Sequence, residues 1–243
     1  MRRYCWGVAD RLLSVEDSRR GETRYSYTPT GQLERAEYPD GREQWRKSDQ
    51  TGNLYPDPDM KLRRYLGGGR LEQDGEWHCE YDADGNLTER YLGTGRWLDG
   101  KKDRWRYRWN ADGSLAKVVR PDKREVEFTY DALGRRLSKS FGTTVMRWVW
   151  NGNVPLHQWK QHREYSVVED RWNTDTERRD MTVWLFDEES FVPVAMIKEG
   201  RSYSILTDQL GTPTEAYDAR ATRCGAGCST WTGTSSGRRV TGG

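Results

Sequence analysis

Residues 103–115, "DRWRYRWNADGSL", alternate arginines with aromatic residues in a pattern that could bind single-stranded nucleic acid. The arginines occupy even-numbered positions (Arg104, Arg106 and Arg108), and the aromatic residues occupy odd-numbered positions (Trp105, Tyr107 and Trp109). Because successive side chains of a strand point to opposite faces, one face would be basic and the other aromatic. Such faces can hold phosphates and stack on bases. Neighbouring strand segments carry acids instead (Glu34, Glu37, Glu125 and Glu127), so we expect packing aromatics and no nucleic-acid partner.

Signatures of catalysis and of metal binding are absent from the sequence. Cys224 and Cys228 have a spacing that zinc permits, but a structural site needs a second close pair of ligands. His157 and His162 have no carboxylate three or four residues away. The chain has no Gly-x-Ser-x-Gly elbow and no phosphate-cradling glycine loop, and Gly67 to Gly69 read as a hairpin turn. We therefore predict no catalytic residues, no metal, no cofactor and no enzymatic activity.

The composition predicts a folded, sheet-rich scaffold with only a thin apolar core. Hydrophobic residues make up 34% and charged residues 32% of the 243 residues, with 40 basic and 38 acidic side chains. Aromatic residues reach 12%, whereas disordered chains are poor in aromatics. No apolar run is long enough to span a membrane, and the first residues, "MRRYCWGVAD", lack the apolar stretch of a signal peptide. We expect a cytoplasmic protein before any export, which would use a non-Sec route.

A short motif recurs along the chain: an aromatic residue, a small polar residue, and a glycine four positions after the aromatic. The copies are "YTPTGQL" (27–33), "YDADGNL" (81–87), "WNADGSL" (109–115), "YDALGRR" (130–136), and "SDQTGNL" (48–54), in which Ser48 replaces the aromatic. The motif residues are Tyr27, Gly31, Gly52, Tyr81, Asp82, Gly85, Trp109, Gly113, Tyr130, Asp131 and Gly134. The turn glycines are 21, 33, 28 and 21 residues apart, which indicates a unit of 21 with two insertions.

Each unit is predicted to be strand, turn, strand, turn. Asp or Asn can bond its own backbone two residues on, and glycine accepts the positive φ that ends the turn. A second turn follows half a unit later, at "PDGR" (39–42) and "PDKR" (121–124). A single amphipathic hairpin cannot bury its apolar face, so the repeats must stack. The sequence predicts an all-β fold of stacked antiparallel hairpins, with Tyr27, Tyr81, Trp109 and Tyr130 in equivalent positions beside the turns.

These motifs resemble the YD repeats of the Rhs family, bacterial proteins of polymorphic toxin systems. "WVWNGNVPLHQW" (148–159) resembles the segment that closes an Rhs repeat region, and residues 183–197 and 203–218 resemble the Rhs core end. Asp208, Leu210, Gly211, Thr212 and Pro213 match the core-end signature, with Gln209 in place of the usual His. The resemblance covers residues 1–220 and divides the chain into a repeat array (1–142), a core C-terminal segment (143–220) and a tail (221–243).

The resemblance implies that the chain is a fragment of a curved, hollow shell that encloses a C-terminal toxin domain. The partners would be that toxin domain and the rest of the shell, both absent from this chain, together with a type VI or similar secretion apparatus. The family's self-cleaving site follows the core in an Asp-Pro-x-Gly context, which this chain does not contain. The resemblance therefore implies confinement rather than catalysis.

A carbohydrate-binding surface is the alternative interpretation, because aromatic rings stack on sugar faces while carboxylates bond hydroxyls. Trp97 and Trp105 flank a polar loop at 98–103 and are the candidate pair. Aromatics at strand period more often pack than bind ligands.

The tail, residues 221–243, differs in composition from the preceding chain. It contains no Asp, Glu, Lys, Leu, Ile, Tyr or Phe, and 14 of its 23 residues are Gly, Ser or Thr. A one-base shift after Arg220 is compatible with Gly-Asn-Glu-Val-Trp-Arg, the continuation found in Rhs relatives. We therefore expect a frame slip near residue 220, a disordered tail, and no selected role for Cys224 or Cys228.

Overall fold

Antiparallel strands dominate the chain, as the alternation of side chains predicts, and the predicted all-β class is confirmed. The computed structural model describes residues 2–93, 100–208 and 210–226. The chain forms two compact units, residues 1–106 and 107–243, and the division falls within strand β12. The only helical elements of the described residues are two 3₁₀ turns, Val8–Asp10 and Gly67–Gly69. No helix in the described part of the chain has the length and apolar character needed to span a bilayer.

The first unit contains a five-stranded sheet in the order β1-β2-β3-β4-β5, a β6-β7 pair, and a meander from β8 into β12. Its strands are β1 (Arg2–Trp6), β2 (Leu12–Asp17), β3 (Gly21–Tyr27), β4 (Leu33–Glu37), β5 (Glu43–Trp45), β6 (Lys47–Ser48), β7 (Leu54–Tyr55), β8 (Arg63–Leu66), β9 (Arg70–Asp74), β10 (Trp77–Tyr81), β11 (Leu87–Leu92) and the first part of β12 (Lys102–Trp109). Gly67–Gly69 forms the turn of the β8–β9 hairpin, in which Leu66 pairs with Arg70.

In the second unit, each strand is hydrogen-bonded to the next along the chain, except that β19 pairs with β17 and not with β18. Its strands are the rest of β12, β13 (Leu115–Val119), β14 (Glu125–Tyr130), β15 (Arg136–Phe141), β16 (Thr144–Asn151), β17 (Val154–Ser166), β18 (Arg171–Thr174), β19 (Arg179–Phe186), β20 (Pro193–Lys198), β21 (Arg201–Thr207), β22 (Pro213–Tyr217) and β23 (Arg223–Ala226). Strand β17 pairs with β16 and β19 up to His162 and with β18 from Arg163 to Ser166.

The apolar core is small. Twelve apolar side chains of the described residues are buried: Leu12, Ala36, Tyr91, Val118, Val119, Val145, Met146, Trp148, Trp184, Met196, Ile205 and Ala216. The last four of these form one cluster across strands β19 to β22, with Phe186 and Tyr203 packed against it. Most of the described side chains are therefore half-buried or exposed.

A buried arginine links the β17–β18 hairpin to β14 and to the β15–β16 turn. Arg163 donates to the Gly142 carbonyl at 2.8 Å and to the Glu127 carboxylate at 3.0 Å. Its guanidinium also lies 4.3 Å from the ring centroid of Trp172. This hairpin was not predicted from the sequence, because its turn, "VVED" (167–170), does not match the repeat motif.

The start of the tail forms a strand where disorder was expected. Arg223–Ala226 pairs with β22, so that Tyr217 lies opposite Arg223 and Ala216 opposite Gly225. The physical reason is that the edge of β22 offers backbone N–H and C=O groups to any adjacent extended segment. Residues 227–243, including Cys228, lie outside the described residues. The predicted division at 142/143 falls in the β15–β16 turn, within the second unit, and stays a prediction about motifs.

Candidate functional site: the repeat turns

The turn between β10 and β11 shows how the motif works. Tyr81 ends β10 and pairs with Leu87 at the start of β11. The Asp82 amide donates to the Asn86 carbonyl at 3.0 Å, and the Gly85 amide donates to the Asp82 carbonyl at 3.1 Å. Gly85 has a φ of 87°, a conformation that side-chain-bearing residues rarely adopt. A β-turn that ends in a left-handed glycine closes the hairpin.

The Asp82 side chain completes this turn. Its Oδ1 accepts a hydrogen bond from the Asn86 amide at 2.8 Å, and its Oδ2 accepts one from the Asn86 side chain at 3.2 Å. The Asn86 amide holds the pKa of Asp82 below its usual value, despite partial desolvation. The carboxylate thus serves the backbone of its own turn, which leaves little capacity for acid–base chemistry.

The other motif copies have the same pair of main-chain hydrogen bonds. Across residues 28–32, 49–53, 82–86, 110–114 and 131–135, the donor–acceptor distances range from 2.8 to 3.2 Å. The remaining motif glycines also have positive φ: Gly31, Gly52, Gly113 and Gly134. Asp131 repeats the side-chain contact, since its Oδ1 accepts from the Leu133 and Arg135 amides at 2.9 Å each.

The motif aromatics occupy one structural position, the last residue of a strand. Tyr27, Tyr81, Trp109 and Tyr130 end β3, β10, β12 and β14. The tyrosine hydroxyls donate to main-chain carbonyls of the preceding strand: Tyr27 to Leu12 at 2.8 Å, Tyr81 to Leu71 at 2.8 Å, and Tyr130 to Leu115 at 3.0 Å. Tyr65 makes the same contact with Leu54. These hydroxyl clamps were not predicted from the sequence, where the alternation assigned the aromatics to packing alone.

The core-end signature proves to be another turn of the repeat type. The Asp208 amide donates to the Thr212 carbonyl at 2.9 Å, and the Gly211 amide donates to the Asp208 carbonyl at 3.1 Å. Thr207 takes the place of the aromatic and pairs with Pro213. Leu210 is 82% exposed at the tip of the turn, and Gln209 lies outside the described residues. The similarity of this segment to the repeat turns was not predicted from the sequence, because the repeat motif has an aromatic residue where this segment has Thr207.

Strand β12 has half-buried aromatics on one face and exposed arginines on the other. Trp105, Tyr107 and Trp109 are half-buried, whereas Arg104, Arg106 and Arg108 are exposed. Arg104 forms an ion pair with Glu89, and the Lys101 ammonium lies 2.8 Å from the same carboxylate. Burial raises the pKa of Glu89, but the hydrogen bonds from Arg104 and Lys101 outweigh it and leave the pKa below its usual value. This geometry favours packing and charge pairing over base stacking.

The structure gives little support to the remaining candidates, which are a glycan-binding pair, a metal site and a surface cavity. Trp105 is half-buried and Trp97 lies outside the described residues, so the glycan-binding pair stays a prediction. Among the described residues, no group of three or more His, Cys, Asp or Glu side chains could hold a metal ion. A cavity of about 410 Å³ is lined by Thr144, Lys160, Gln161, His162, Arg179 and Asp180. Its cationic side chains contact carboxylates, with Lys160 2.6 Å from Asp180 and Arg179 2.7 Å from Asp175.

Recurrent hairpins with clamped tyrosines and left-handed glycines define this chain as a YD-repeat protein. Residues 8–224 match the family model described as Teneurin YD-shell, and the chain belongs to this family. The predicted relation to Rhs and YD-repeat proteins is thereby confirmed.

Two relatives have names that refer to toxins or nucleases. The chain is 33% identical over 165 residues to the double-stranded DNA deaminase toxin A of Burkholderia cenocepacia (strain H111), a match over 62% of this chain and 11% of the relative. It is 26% identical over 105 residues to the probable deoxyribonuclease RhsA of Dickeya dadantii (strain 3937), over 42% of this chain and 7% of the relative. The chain thus matches only a small part of either relative.

A solved Tc holotoxin pore of Photorhabdus luminescens is similar over 91% of this chain and 11% of that chain, at 13% identity and a TM-score of 0.45.

Proposed function

We propose that this chain is a non-catalytic part of an Rhs-type wall that encloses a C-terminal toxin domain. The observation that carries the proposal is the repeated turn, in which the motif carboxylates and tyrosine hydroxyls bond the backbone of their own repeat. Asp82, Asp131, Tyr81 and Tyr130 are all used in this way. Side chains that hold the backbone build a scaffold, and they are not arranged as nucleophile, acid or base.

The small core agrees with a wall. A wall needs only enough apolar contact to align neighbouring strands, whereas a compact enzyme domain of this length would bury a larger core. The activities in the names of the two relatives would then reside outside the segment that this chain matches. On this proposal, the partners are a toxin domain and further wall segments, and export would use a type VI or similar apparatus.

The test uses the Burkholderia relative as a host. The segment of the deaminase toxin that matches this chain is replaced by the corresponding residues of this chain, and the chimera is exposed to a protease. We expect the deaminase portion to resist cleavage about as well as it does in the unaltered host. A matched chimera with Gly134→Val and Gly211→Val, which strain two turns, should lose that protection.

Equal protease sensitivity in the two chimeras would contradict the proposal that the repeat turns maintain an enclosure. The absence of catalysis is tested separately with the purified chain and nuclease, peptidase and glycosidase substrates. Turnover that copurifies with the protein, and that a single substitution in this chain abolishes, would overturn the non-catalytic assignment.

A further inference from the structure

An exposed apolar surface lies at one end of strands β19 to β22. Strands β19 and β21 both pair antiparallel with β20, so the turns that follow them lie at the same end of the sheet. The two turns are adjacent, since a Cβ added at Gly211 would lie 2.7 Å from Cγ2 of Val192. Five large apolar side chains at this end are between 43% and 82% exposed, and together they are called the apolar patch: Leu185, Phe191, Val194, Leu206 and Leu210.

Two side chains of the apolar patch lie on the face of the sheet that points away from the buried cluster. Leu185 and Ser204 belong to one cross-strand row through β20, and Leu206 follows Ser204 by two residues. Opposed residues of paired strands, and alternate residues of one strand, direct their side chains to the same face. Their chain neighbours Trp184 and Ile205 belong to the buried cluster. Strands β19 and β21 are therefore apolar on both faces at this end, and one of those faces is exposed.

Acidic side chains border the apolar patch. Asp187, Glu188 and Glu189 precede Phe191 in the β19–β20 turn and are exposed. Within the described ranges of the chain, their carboxylates form no hydrogen bond and no ion pair. An occupant with basic side chains is therefore favoured. A second copy is disfavoured, because a symmetric contact through this patch would bring the same acids of both copies together.

The described part of the chain ends beside the apolar patch. Ala226 pairs with Glu215, which in turn pairs with Leu206. Residues 227–243 follow directly, and their sequence contains Trp231, Val240 and the basic pair Arg238 and Arg239, but no acidic residue. The segment thus has the apolar and basic side chains that the patch and its acidic border favour.

The segment is also long enough to reach the patch. The β19–β20 turn lies between the third and fourth neighbouring strand from β23, which is roughly 17 Å at about 4.8 Å a strand. Five extended residues span about 17 Å, so Trp231, five residues after Ala226, can reach Phe191. Arg238 and Arg239 lie further along the chain and can reach the acids of the same turn.

We propose that residues 227–243 dock on the apolar patch of their own chain, with Trp231 against its apolar side chains and Arg238 and Arg239 beside Glu188 and Glu189. Attachment to β23 makes the contact intramolecular, so a few side chains suffice to hold it. The docked segment covers an apolar surface of the kind that otherwise promotes association between chains. Composition alone predicts disorder for this segment, but the patch supplies the apolar and acidic surface that the segment itself lacks.

Photocrosslinking on the full chain tests the proposal, with p-benzoylphenylalanine in place of Trp231. Trypsin cleaves after Arg179, Lys198, Arg201 and Arg220, so the apolar patch falls in two peptides, residues 180–198 and 202–220. We expect these two peptides to carry most of the crosslinks formed within one chain. Phe191→Gln together with Leu210→Gln should lower the yield about fivefold, because two apolar contacts are lost.

Leu133→Gln is the matched control for the patch variant. Leu133 is 75% exposed and holds the turn position of Leu210 in a different hairpin, so its substitution should leave the yield unchanged. Crosslinks spread over the whole chain, or an equal yield in the patch variant and the control, would overturn the apolar contact. Crosslinks between two chains would assign the patch to a second copy and overturn the proposed occupant.

A charge exchange tests the basic half of the contact. Glu188→Lys with Glu189→Lys should lower the crosslink yield about threefold, a loss within the range of exposed ion pairs. Adding Arg238→Glu and Arg239→Glu to that variant should restore the yield, since opposite charges then face each other again. A yield that stays low in the fourfold variant would overturn the placement of Arg238 and Arg239 at the acidic turn.

Discussion

Two turns of nearly identical sequence show what determines the backbone of a repeat. In "PDGR", the Tyr38 amide donates to the Arg42 carbonyl and the Gly41 amide to the Tyr38 carbonyl, both at 2.9 Å. In "PDKR", the same two bonds join residues 120–124, again at 2.9 Å. Gly41 has a φ of 79° and Lys123 has a φ of 64°. The turns are alike although one has glycine and the other lysine at the left-handed position.

The comparison indicates that pairing of the flanking strands determines the backbone conformation of the turn. Glycine at the left-handed position only lowers the free energy of that conformation. Glu37 pairs with Glu43 across the first turn, and Val119 pairs with Glu125 across the second. Lysine at the left-handed position therefore has a tolerable conformational cost. Glycine becomes a stricter requirement only where a neighbouring atom also occupies the space of a Cβ. Substitutions at single turn glycines separate these two contributions.

The largest effect is expected at Gly211, where both contributions act. An added Cβ would lie 2.7 Å from Cγ2 of Val192, a rigid β-branched side chain, and the φ is 81°. Gly211→Ala should lower the free energy of unfolding by roughly 2–4 kcal/mol, the sum of strain and overpacking. Urea denaturation of wild type and variant measures the difference.

Gly134→Ala is the control for Gly211→Ala. Gly134 has a φ of 75° and no heavy atom within 4 Å of its added Cβ. The variant should lose only about 1–2 kcal/mol, which is the strain alone. If both variants lost the same free energy, the contact with Val192 would have no influence on the turn.

The next largest effect on stability is expected from removing a tyrosine hydroxyl that donates to a main-chain carbonyl of the preceding strand. Tyr130→Phe removes the hydrogen bond to the Leu115 carbonyl and keeps the ring, so we expect a loss of about 1 kcal/mol in unfolding free energy. Tyr38→Phe is the matched control, because the Tyr38 hydroxyl donates to the exposed side chain of Gln44. That variant should change stability by less than about 0.5 kcal/mol. A larger effect at Tyr38 than at Tyr130 would contradict the role assigned to the clamp.

The clamp illustrates the limit of what could be predicted from the sequence. The turn positions of Gly85 and Gly134 follow from the spacing, because a motif that repeats five times reports a local backbone requirement. The choice of the Leu115 carbonyl as acceptor for the Tyr130 hydroxyl cannot be derived from the spacing, because it depends on the register of two strands. Main-chain acceptors have no residue type, and therefore leave no sequence signal.

Substitutions also conceal turns that the backbone retains. The turn at 208–212 lacks an aromatic at Thr207, and the turn at 218–222 lacks a glycine at residue 221. A search on residue types misses both, whereas strand pairing reproduces their hydrogen bonds. The β17–β18 hairpin depends on Arg163, whose partners Gly142 and Glu127 are distant in sequence.

A reciprocal exchange tests the comparison of the two Pro-Asp turns directly. Lys123→Gly should raise the free energy of unfolding by roughly 0.5–1 kcal/mol, because relief of strain exceeds the added entropy of the unfolded chain. Gly41→Lys should lower it by a similar amount, since nothing lies within 4 Å of its added Cβ. Changes of the same sign in the two variants would show that the turns are not equivalent.

The smallest expected effect concerns pH, and it compares a charged turn with a neutral one. In the turn at 49–53, Asp49 accepts hydrogen bonds from the amides of Thr51 and Asn53 at 2.9 Å each. Desolvation raises the pKa of Asp49, but hydrogen bonds from Asn53 and Thr51 outweigh it and hold the pKa at about 2. In the turn at 28–32, the Thr28 hydroxyl accepts from the Gln32 amide at 3.1 Å, so no carboxylate is involved.

Because the folded-state pKa of Asp49 is depressed, its contribution to stability is full above the unfolded value of about 4 and is lost as pH falls towards about 2. Hydrogen exchange, corrected for intrinsic rates, should show the Asn53 amide losing protection over this window while the Gln32 amide keeps most of its own. Asp49→Asn should remove the difference, since an amide oxygen can still accept both hydrogen bonds but does not titrate. Parallel loss at both amides would instead point to unfolding of the whole unit, and the acid sensitivity could not then be assigned to the Asp49 carboxylate.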